Sequence, residues 1–408
     1  MVKKQILVAG GGIGGLAAAI GGARAGWEVR LYERAPAFTE VGAGVQLGPN
    51  VVRHLQAWGL QSALQEVASF PDRLAVRCAQ GGGELASLGL GSAVVQRYGA
   101  AYATIHRADL HGLLRDGAAA LADVGWRLGH AVAGYHEDGA AVGLRLVRQT
   151  DGAQVEVEGD ALVGADGLHS RVRAQLLAEG TTRSRGHLAY RALVSQSALP
   201  PSLRSQQVTV WLGPRLHVVH YPVRRGELLN IVAIRHGQAP SDLDAWDHGA
   251  NAAELEAALA RTCTRLQELI RAVPQLGSGW RLWPLRDRAP VAGPHEMAAG
   301  LVALLGDAAH PMHPYLAQGA GMAIEDAAEL QRALSMHDLE VPLRLRRYAL
   351  NRWQRNARVQ ARAARNGVIF HARGPLRWGR DTALRLLGGR LLDVPWLYHG
   401  EGPGSSLL

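Results

Sequence analysis

The chain has 408 residues, 48% of them hydrophobic, enough for a large core and too apolar for a disordered chain. Its 44 Lys and Arg against 35 Asp and Glu leave a formal charge of +9, and its 50 glycines stand well above average usage. Two cysteines, Cys78 and Cys263, exclude a disulfide framework and a four-cysteine zinc site, and a cytoplasmic setting is expected. The basic balance alone leaves nucleic acid, an anionic membrane, anionic substrates or an arginine-rich genome open.

Gln5 to Ala9 reads as a short buried strand, Gly10 to Gly15 as a turn and Leu16 to Ala25 as a helix. Trp27 to Tyr32 is a second strand ending at Glu33, which completes a βαβ unit. The apolar run from Ile6 to Ala25 behind Lys3 and Lys4 resembles a secretory signal, but its seven glycines argue against one. Helices are predicted at Asn50 to Trp58 and Arg107 to Leu121, with short strands and turns over 72–105. Residues 124–164 alternate like strands and end in Ala161 to Gly164. Residues 187–236 are β-rich, and a single helix is predicted from Ala252 to Ala272, ended by Pro274. Gly300 to Leu305 is a further buried strand, followed by a glycine-rich loop and a helix from Gly321 to Leu334. The pattern predicts an α/β nucleotide-binding domain in two pieces, 1–180 and 281–340, around a β-rich insert at 181–280. An arginine-rich helical segment follows at 341–408.

Three motifs carry chemistry. In Gly10-x-Gly12-x-x-Gly15 the first glycine permits a tight turn, the second lets a pyrophosphate approach, and the third lets helix and strand pack. Glu33, eighteen residues after Gly15, can accept hydrogen bonds from both ribose hydroxyls. Asp166-Gly167-x-x-Ser170-x-x-Arg173 and Gly306-Asp307 each put an acid just past a strand's carboxyl end, where α/β folds bind ligands. On a strand over 216–221, His217, Val219 and Tyr221 share one face, as ligand contacts or simply as polar members of a sheet. His310 and His313 have metal-pair spacing, but Pro311 and Pro314 argue for a loop, and no metal is expected.

As a set, these motifs resemble those of the class A, single-component FAD-dependent aromatic hydroxylases. The branch is that of salicylate hydroxylase, 3-hydroxybenzoate 6-hydroxylase and 6-hydroxynicotinate 3-monooxygenase; its further stretches match at Gly42 to Asn50 and His106 to His111. The resemblance implies a p-hydroxybenzoate hydroxylase-like fold: a Rossmann-like FAD-binding domain, an inserted β-sheet substrate domain and C-terminal helices. It implies bound FAD, with NADH or NADPH and O2 as co-substrates, and hydroxylation of a small phenolic aromatic carboxylate through a flavin C4a-hydroperoxide. The best reading is 3-hydroxybenzoate 6-hydroxylation or salicylate 1-hydroxylation. The alternatives are a 6-hydroxynicotinate 3-monooxygenase-like enzyme or, from another class, a flavin-dependent oxidase.

The implied cofactor residues begin with Gly10, Gly12, Ile13, Gly14 and Gly15, joined by Glu33 and Arg34 at the adenosine end. Arg107 would reach the pyrophosphate, Gln46 the ribityl chain or isoalloxazine, and Asp307 the ribityl hydroxyls. Asp166 would bridge FAD and the nicotinamide region. Gly319 and Ala320 would open a helix whose N–H groups face the charge of reduced flavin, while Pro314 and Gln318 shape the wall facing the substrate. His217 would take the phenol proton at a pKa near working pH and Tyr221 would orient the ring, with His220 a weaker candidate.

The charge is uneven: residues 344–390 hold 13 arginines and one acid, Asp381, whereas the remainder has 31 cations against 34 acids. This segment reads as a solvated helix face, as docking onto an acidic surface of the body or a dimer partner, or as attraction for anionic ligands. A homodimer is expected, without nucleic-acid or membrane partners.

Overall fold

The computed structural model describes residues 3–38, 43–179, 182–237, 248–277 and 279–400. Gly42, the first residue of the Gly42–Asn50 stretch, lies outside them.

Strand Gln5–Ala9 sits inside a six-stranded sheet between Ala161–Gly164 and Glu28–Tyr32. Val302–Leu304 and Ala298–Ala299 extend one side and Val124–Arg127 the other, all parallel except the Ala298–Ala299 edge. Its central strands read as continuous apolar runs because both faces are covered: Ile6, Leu7, Val8, Leu162 and Val163 are fully buried. Helix Ile13–Arg24 follows the first strand and packs against helices Arg107–Ala119 and Gly319–Leu334. The acid-bearing turns at Glu33, Asp166 and Asp307 therefore all lie beyond the carboxyl ends of neighbouring strands.

A second sheet has seven strands, ordered Arg281–Asp287, Arg183–Ser195, Leu228–His236, Leu216–Val223, Val208–Gly213, Arg73–Cys78 and Glu84–Gly89. It draws on strands outside the predicted 181–280 insert. The reason is pairing: Val208–Gly213 needs a partner on its free side and takes Arg73–Cys78 in parallel, which requires a long crossover in sequence. Side chains alternate across this sheet. Trp211, Val218 and Ile231 pack under Leu255, Leu266 and Ile270 of two covering helices. Val208, Tyr221 and Val223 face the other way, toward Met322 and Val359.

The helix predicted over Ala252 to Ala272 is two helices, His248–Leu259 and Thr264–Leu276. Between them the Cys263 N–H donates to Ala79 O, and Gln267 Nε2 donates to the carbonyls of Ala260 and Thr262, so the break is satisfied by a backbone partner and the Gln267 side chain. Pro274 does not end the second helix; it lies in the last turn, two residues before the end.

The arginine-rich segment opens with a 30-residue helix, Val341–Phe370, laid along Gly319–Leu334. Its arginines divide by helical period. Arg344, Arg352 and Arg355 are buried, whereas Arg346, Arg347, Arg358 and Arg365 are exposed. Arg352 Nε lies 2.8 Å from Asp326 Oδ1, and Arg355 Nε lies 2.6 Å from Glu325 Oε2. The inner face is docked onto acids of the body, and only the outer face is solvated. No helix among the described residues is long and apolar enough to cross a membrane.

Candidate active site

The first turn is shaped by contacts that exclude a side chain. Gly10 has φ +104°, and a Cβ on Gly15 would lie 1.8 Å from the Gly10 carbonyl oxygen. Gly12 differs: it is the N-cap of helix Ile13–Arg24, makes no side-chain cap, and a Cβ there would meet nothing within 4 Å. The helix therefore presents unpaired N–H groups to open space, the arrangement that binds phosphate. That space belongs to a cavity of about 860 Å³ lined by Gly10, Gly12, Glu33, Arg34, Arg107 and Asp166, among others.

Glu33 is held at the end of its strand by the N–H groups of Gly11 at 2.7 Å and Ala35 at 2.8 Å. A carboxylate has about four acceptor sites, so two remain for ribose hydroxyls. Arg107 opens helix Arg107–Ala119, and its own N–H donates to Ala43 O at 3.1 Å. Ile13 is buried in the first turn of its helix, and a Cβ on Gly14 would lie 2.9 Å from Leu305 Cδ2.

Asp166 accepts from the Ser170 hydroxyl at 2.5 Å and from the N–H groups of Arg171 and Val172 at 2.7 and 3.2 Å. The spacing of this motif is thus a hydrogen-bond circuit at a helix start. Burial raises the Asp166 carboxyl despite these donors. Arg173 completes the circuit by donating to Leu168 O, Asp307 O and Ala308 O at 2.8, 3.1 and 2.7 Å, which ties the second motif to the third.

At the third motif Gly306 has φ +62°, and Asp307 is exposed. A Cβ on Gly319 would lie 3.9 Å from Asp307 Oδ1. The carboxylate therefore sits beside the N-terminus of helix Gly319–Leu334, where Gly319, Ala320 and Gly321 carry orphan N–H groups. Asp326 fixes this loop from below, accepting from Gly306 N–H at 3.1 Å and lying 2.5 Å from His310 Nε2. Gln318 is buried at the helix cap and accepts from Asn50 Nδ2 at 3.1 Å. Pro314 starts a one-turn helix, Pro314–Leu316, after which Ala317 takes a left-handed φ of 52°. Strained backbone of this kind concentrates at ligand sites. His313 lies 3.7 Å from Asp287, so His310 and His313 are drawn to different carboxylates.

One face of the second sheet carries Tyr221 and His217, the residues expected to contact substrate. Tyr221 stands against Gly44 and hydrogen-bonds Gln46, which also accepts from the Tyr102 hydroxyl at 2.6 Å. Burial pushes the Tyr221 hydroxyl up, and the charge of Arg191 opposes that. Arg191, on strand Arg183–Ser195, lies 5.6 Å from the Trp283 ring. Its Nε is buried without a hydrogen-bond partner, and no carboxylate pairs with it among the described residues. Burial lowers the Arg191 pKa.

His217 shares the Tyr221 face and is enclosed by Tyr315 and Phe370, each with ring centroids 5.3 Å away. Its Nδ1 lies 2.8 Å from His371 Nε2, while Nε2 makes no hydrogen bond among the described residues. Burial first, and His187 second, lower it to about 3, well below the working-pH value expected of the base. His220 points to the opposite face, stacked on Trp211.

Arg191, His187, His236, Tyr315 and His371 were missed by sequence reasoning. Period-two parity along Arg183–Ser195 does put His187 and Arg191 on one face. No local signal brings in His371, which caps a helix 154 residues beyond His217.

The family described as "FAD binding domain" matches residues 3–363. The chain is 36% identical to 3-hydroxybenzoate 6-hydroxylase of Polaromonas naphthalenivorans, over 98% of this chain and 97% of that protein. It is 37% identical to 6-hydroxynicotinate 3-monooxygenase of Bordetella bronchiseptica, over 88% and 90%. Among solved structures, Klebsiella pneumoniae HpxO complexed with FAD and uric acid superposes with a TM-score of 0.82 at 26% identity, over 95% and 94%. A salicylate hydroxylase substrate complex does so at 0.79 and 27%, over 98% and 96%. The chain belongs to this FAD-binding family. It is a flavoprotein aromatic monooxygenase, and FAD is its cofactor. The open helix start at Gly12, the carboxylates of Glu33 and Asp307, and the helix start at Gly319 fit that cofactor.

Proposed function

We propose that the chain hydroxylates a small phenolic carboxylate, with 3-hydroxybenzoate at C6 as the leading substrate. The observation that carries this reading is Arg191, a half-buried cation whose Nε is buried without a hydrogen-bond partner and with which no carboxylate pairs among the described residues, on the same sheet face as Tyr221 and His217. A charge partly withdrawn from water is costly unless paired, so an anionic ligand is the expected partner. FAD, reduced by NADH or NADPH, supplies the activation of O2 and transfer of one oxygen atom to the ring. Arg191 takes the carboxylate, and Tyr221 orients the ring. His217 Nε2 accepts the phenol proton, which makes the carbons ortho and para to that oxygen more nucleophilic. C6 of 3-hydroxybenzoate is the para carbon.

Glu33 and Arg107 hold the adenosine and pyrophosphate end, and Asp307 holds the ribityl chain. Asp307→Ala should purify largely colourless, and a full complement of FAD in that variant would overturn this assignment.

The test is a panel of 3-hydroxybenzoate, salicylate and 6-hydroxynicotinate with NADH and O2, products identified by mass and NMR. Release of 2,5-dihydroxybenzoate supports the leading reading. Catechol with CO2 from salicylate, or a 3-hydroxylated pyridine, would reassign the ring. Oxygen uptake that yields only peroxide with every compound would favour an oxidase. A homodimer would cover Leu376, Trp378 and Leu386, which helix Gly374–Leu387 leaves exposed. A monomer mass of 43.6 kDa by light scattering would refute it.

A further inference from the structure

His217 is 2% exposed, and its imidazole is too weak a base in that setting to retain a proton taken from a phenol. A second imidazole stands directly behind it. His217 Nδ1 lies 2.8 Å from His371 Nε2, and the other nitrogen of that ring, His371 Nδ1, lies 2.8 Å from His236 Nε2. The three rings come from three separate elements: strand Leu216–Val223, the C-cap of helix Val341–Phe370, and the end of strand Leu228–His236. His371 is fixed at both backbone ends, its N–H donating to Gly367 O and its carbonyl accepting from Arg215 N–H. His371 is 5% exposed, whereas His236 is half-buried, so the chain runs from the interior outward. Its two terminal nitrogens, His217 Nε2 and His236 Nδ1, make no hydrogen bond among the described residues.

We propose that His217, His371 and His236 form a proton relay that carries the phenol proton of the substrate to solvent, with His371 and His236 as positioning residues for His217. This rests on the reading of His217 as the base. In the step, the phenol O–H bond breaks and its proton goes to His217 Nε2. The proton on His217 Nδ1 passes to His371 Nε2, that on His371 Nδ1 to His236 Nε2, and that on His236 Nδ1 to water. Every ring ends neutral in its other tautomer, a phenolate remains, one proton is released, and nothing is oxidised or reduced. Reprotonation of the product phenol runs the chain backward and resets the tautomers. Burial first, then the charges of Arg215 and Arg373 at His236 and the neighbouring histidines and Arg380 at His371, disfavour a resting imidazolium, so the chain passes a proton without storing it.

Nitrogens of His187, His236 and His371 also lie within 4.8 Å of one another, the pattern of a three-histidine metal site. Two imidazole nitrogens on one tetrahedral zinc would stand roughly 3.3 Å apart, given Zn–N bonds of about 2.0–2.1 Å. The 2.8 Å between His236 and His371 is instead a hydrogen-bond length, and it favours the relay.

The test mixes FAD-loaded oxidised enzyme with 3-hydroxybenzoate anaerobically and follows phenolate absorbance by stopped flow. His217→Gln should slow ionisation of the bound phenol by roughly 100-fold or more, and His371→Gln should slow it as well, both with FAD content unchanged. In His371→Gly, added imidazole should restore the rate. If His217→Gln is slow while His371→Gln and His236→Gln ionise the phenol at the wild-type rate, the relay is overturned and the base assignment stands. If His217→Gln itself reacts at the wild-type rate, the base assignment fails. Should His371→Gln not fold, the half-buried His236→Gln carries the same expectation of slowing. A stoichiometric transition metal in the purified enzyme, whose chelation abolishes ionisation, would overturn the relay in favour of a metal site.

Discussion

At Gly12 and Gly15 the same methyl group meets opposite surroundings. On Gly15 it collides with the Gly10 carbonyl, and on Gly12 it enters empty space where phosphate is expected. Gly15→Ala should therefore disrupt the turn and lower the unfolding midpoint. Gly12→Ala should unfold at the wild-type temperature yet bind FAD weakly, as flavin absorbance after gel filtration would show. Arg191 makes a second prediction at this scale. Losing a buried charged contact costs about 2 kcal/mol or more, roughly 30-fold in affinity. Arg191→Gln should raise KM for 3-hydroxybenzoate by about that factor while leaving KM for 3-hydroxybenzamide unchanged. Equal effects on acid and amide would remove Arg191 from the carboxylate.

Two packed helices, Gly319–Leu334 and Val341–Phe370, hold the Gly306–His310 loop through buried charges. Burial alone would raise the Glu325 carboxyl, but Arg355 and then Arg352 more than offset this and hold it at about 2. Its folded value thus lies below the ordinary 4.5, and the stabilisation is present above 4.5 and lost as pH falls toward 2. Arg355→Met would leave Glu325 with less compensation and should cost about 3 kcal/mol by urea unfolding at pH 7. An unchanged midpoint would mean that the pair is solvated. The helical period of this segment was readable from the sequence. Which arginines turn inward was not, because that depends on where Glu325 and Asp326 of the other helix lie.

For the whole molecule, buried neutral histidines set the response to acid. Burial lowers His217 and His220 to about 3, and partial burial lowers His54 to about 4, from an ordinary 6.5. Between those values the unfolded chain binds protons that the folded chain does not, so stability falls as pH drops from 6.5 toward 3. The thermal midpoint should decline steadily below pH 6.5, before carboxylate protonation contributes. A flat profile from pH 7 to 5 would contradict the burial of these rings. The formal charge of +9 is also a whole-molecule quantity with a local origin. It comes from the 344–390 segment, part of which is neutralised inside the fold by Glu325 and Asp326.

The end of the fold proposed to hold the cofactor was readable as structure in the sequence because it is built from short-range geometry. The glycine turn, the acid at the end of the next strand, and the Asp166–Ser170–Arg173 circuit each close within a few residues or one βαβ unit. Strand parity likewise set His217 and Tyr221 on one face. The rest depended on register and packing between distant segments. Arg191 Nε has no hydrogen-bond partner among the described residues because of what the neighbouring strands bring opposite it. Arg73–Cys78 joins the second sheet across more than a hundred residues. The histidine chain exists because a helix end meets two strand ends within hydrogen-bond distance. Local spacing carries no record of such meetings, since burial and desolvation are properties of the assembled core.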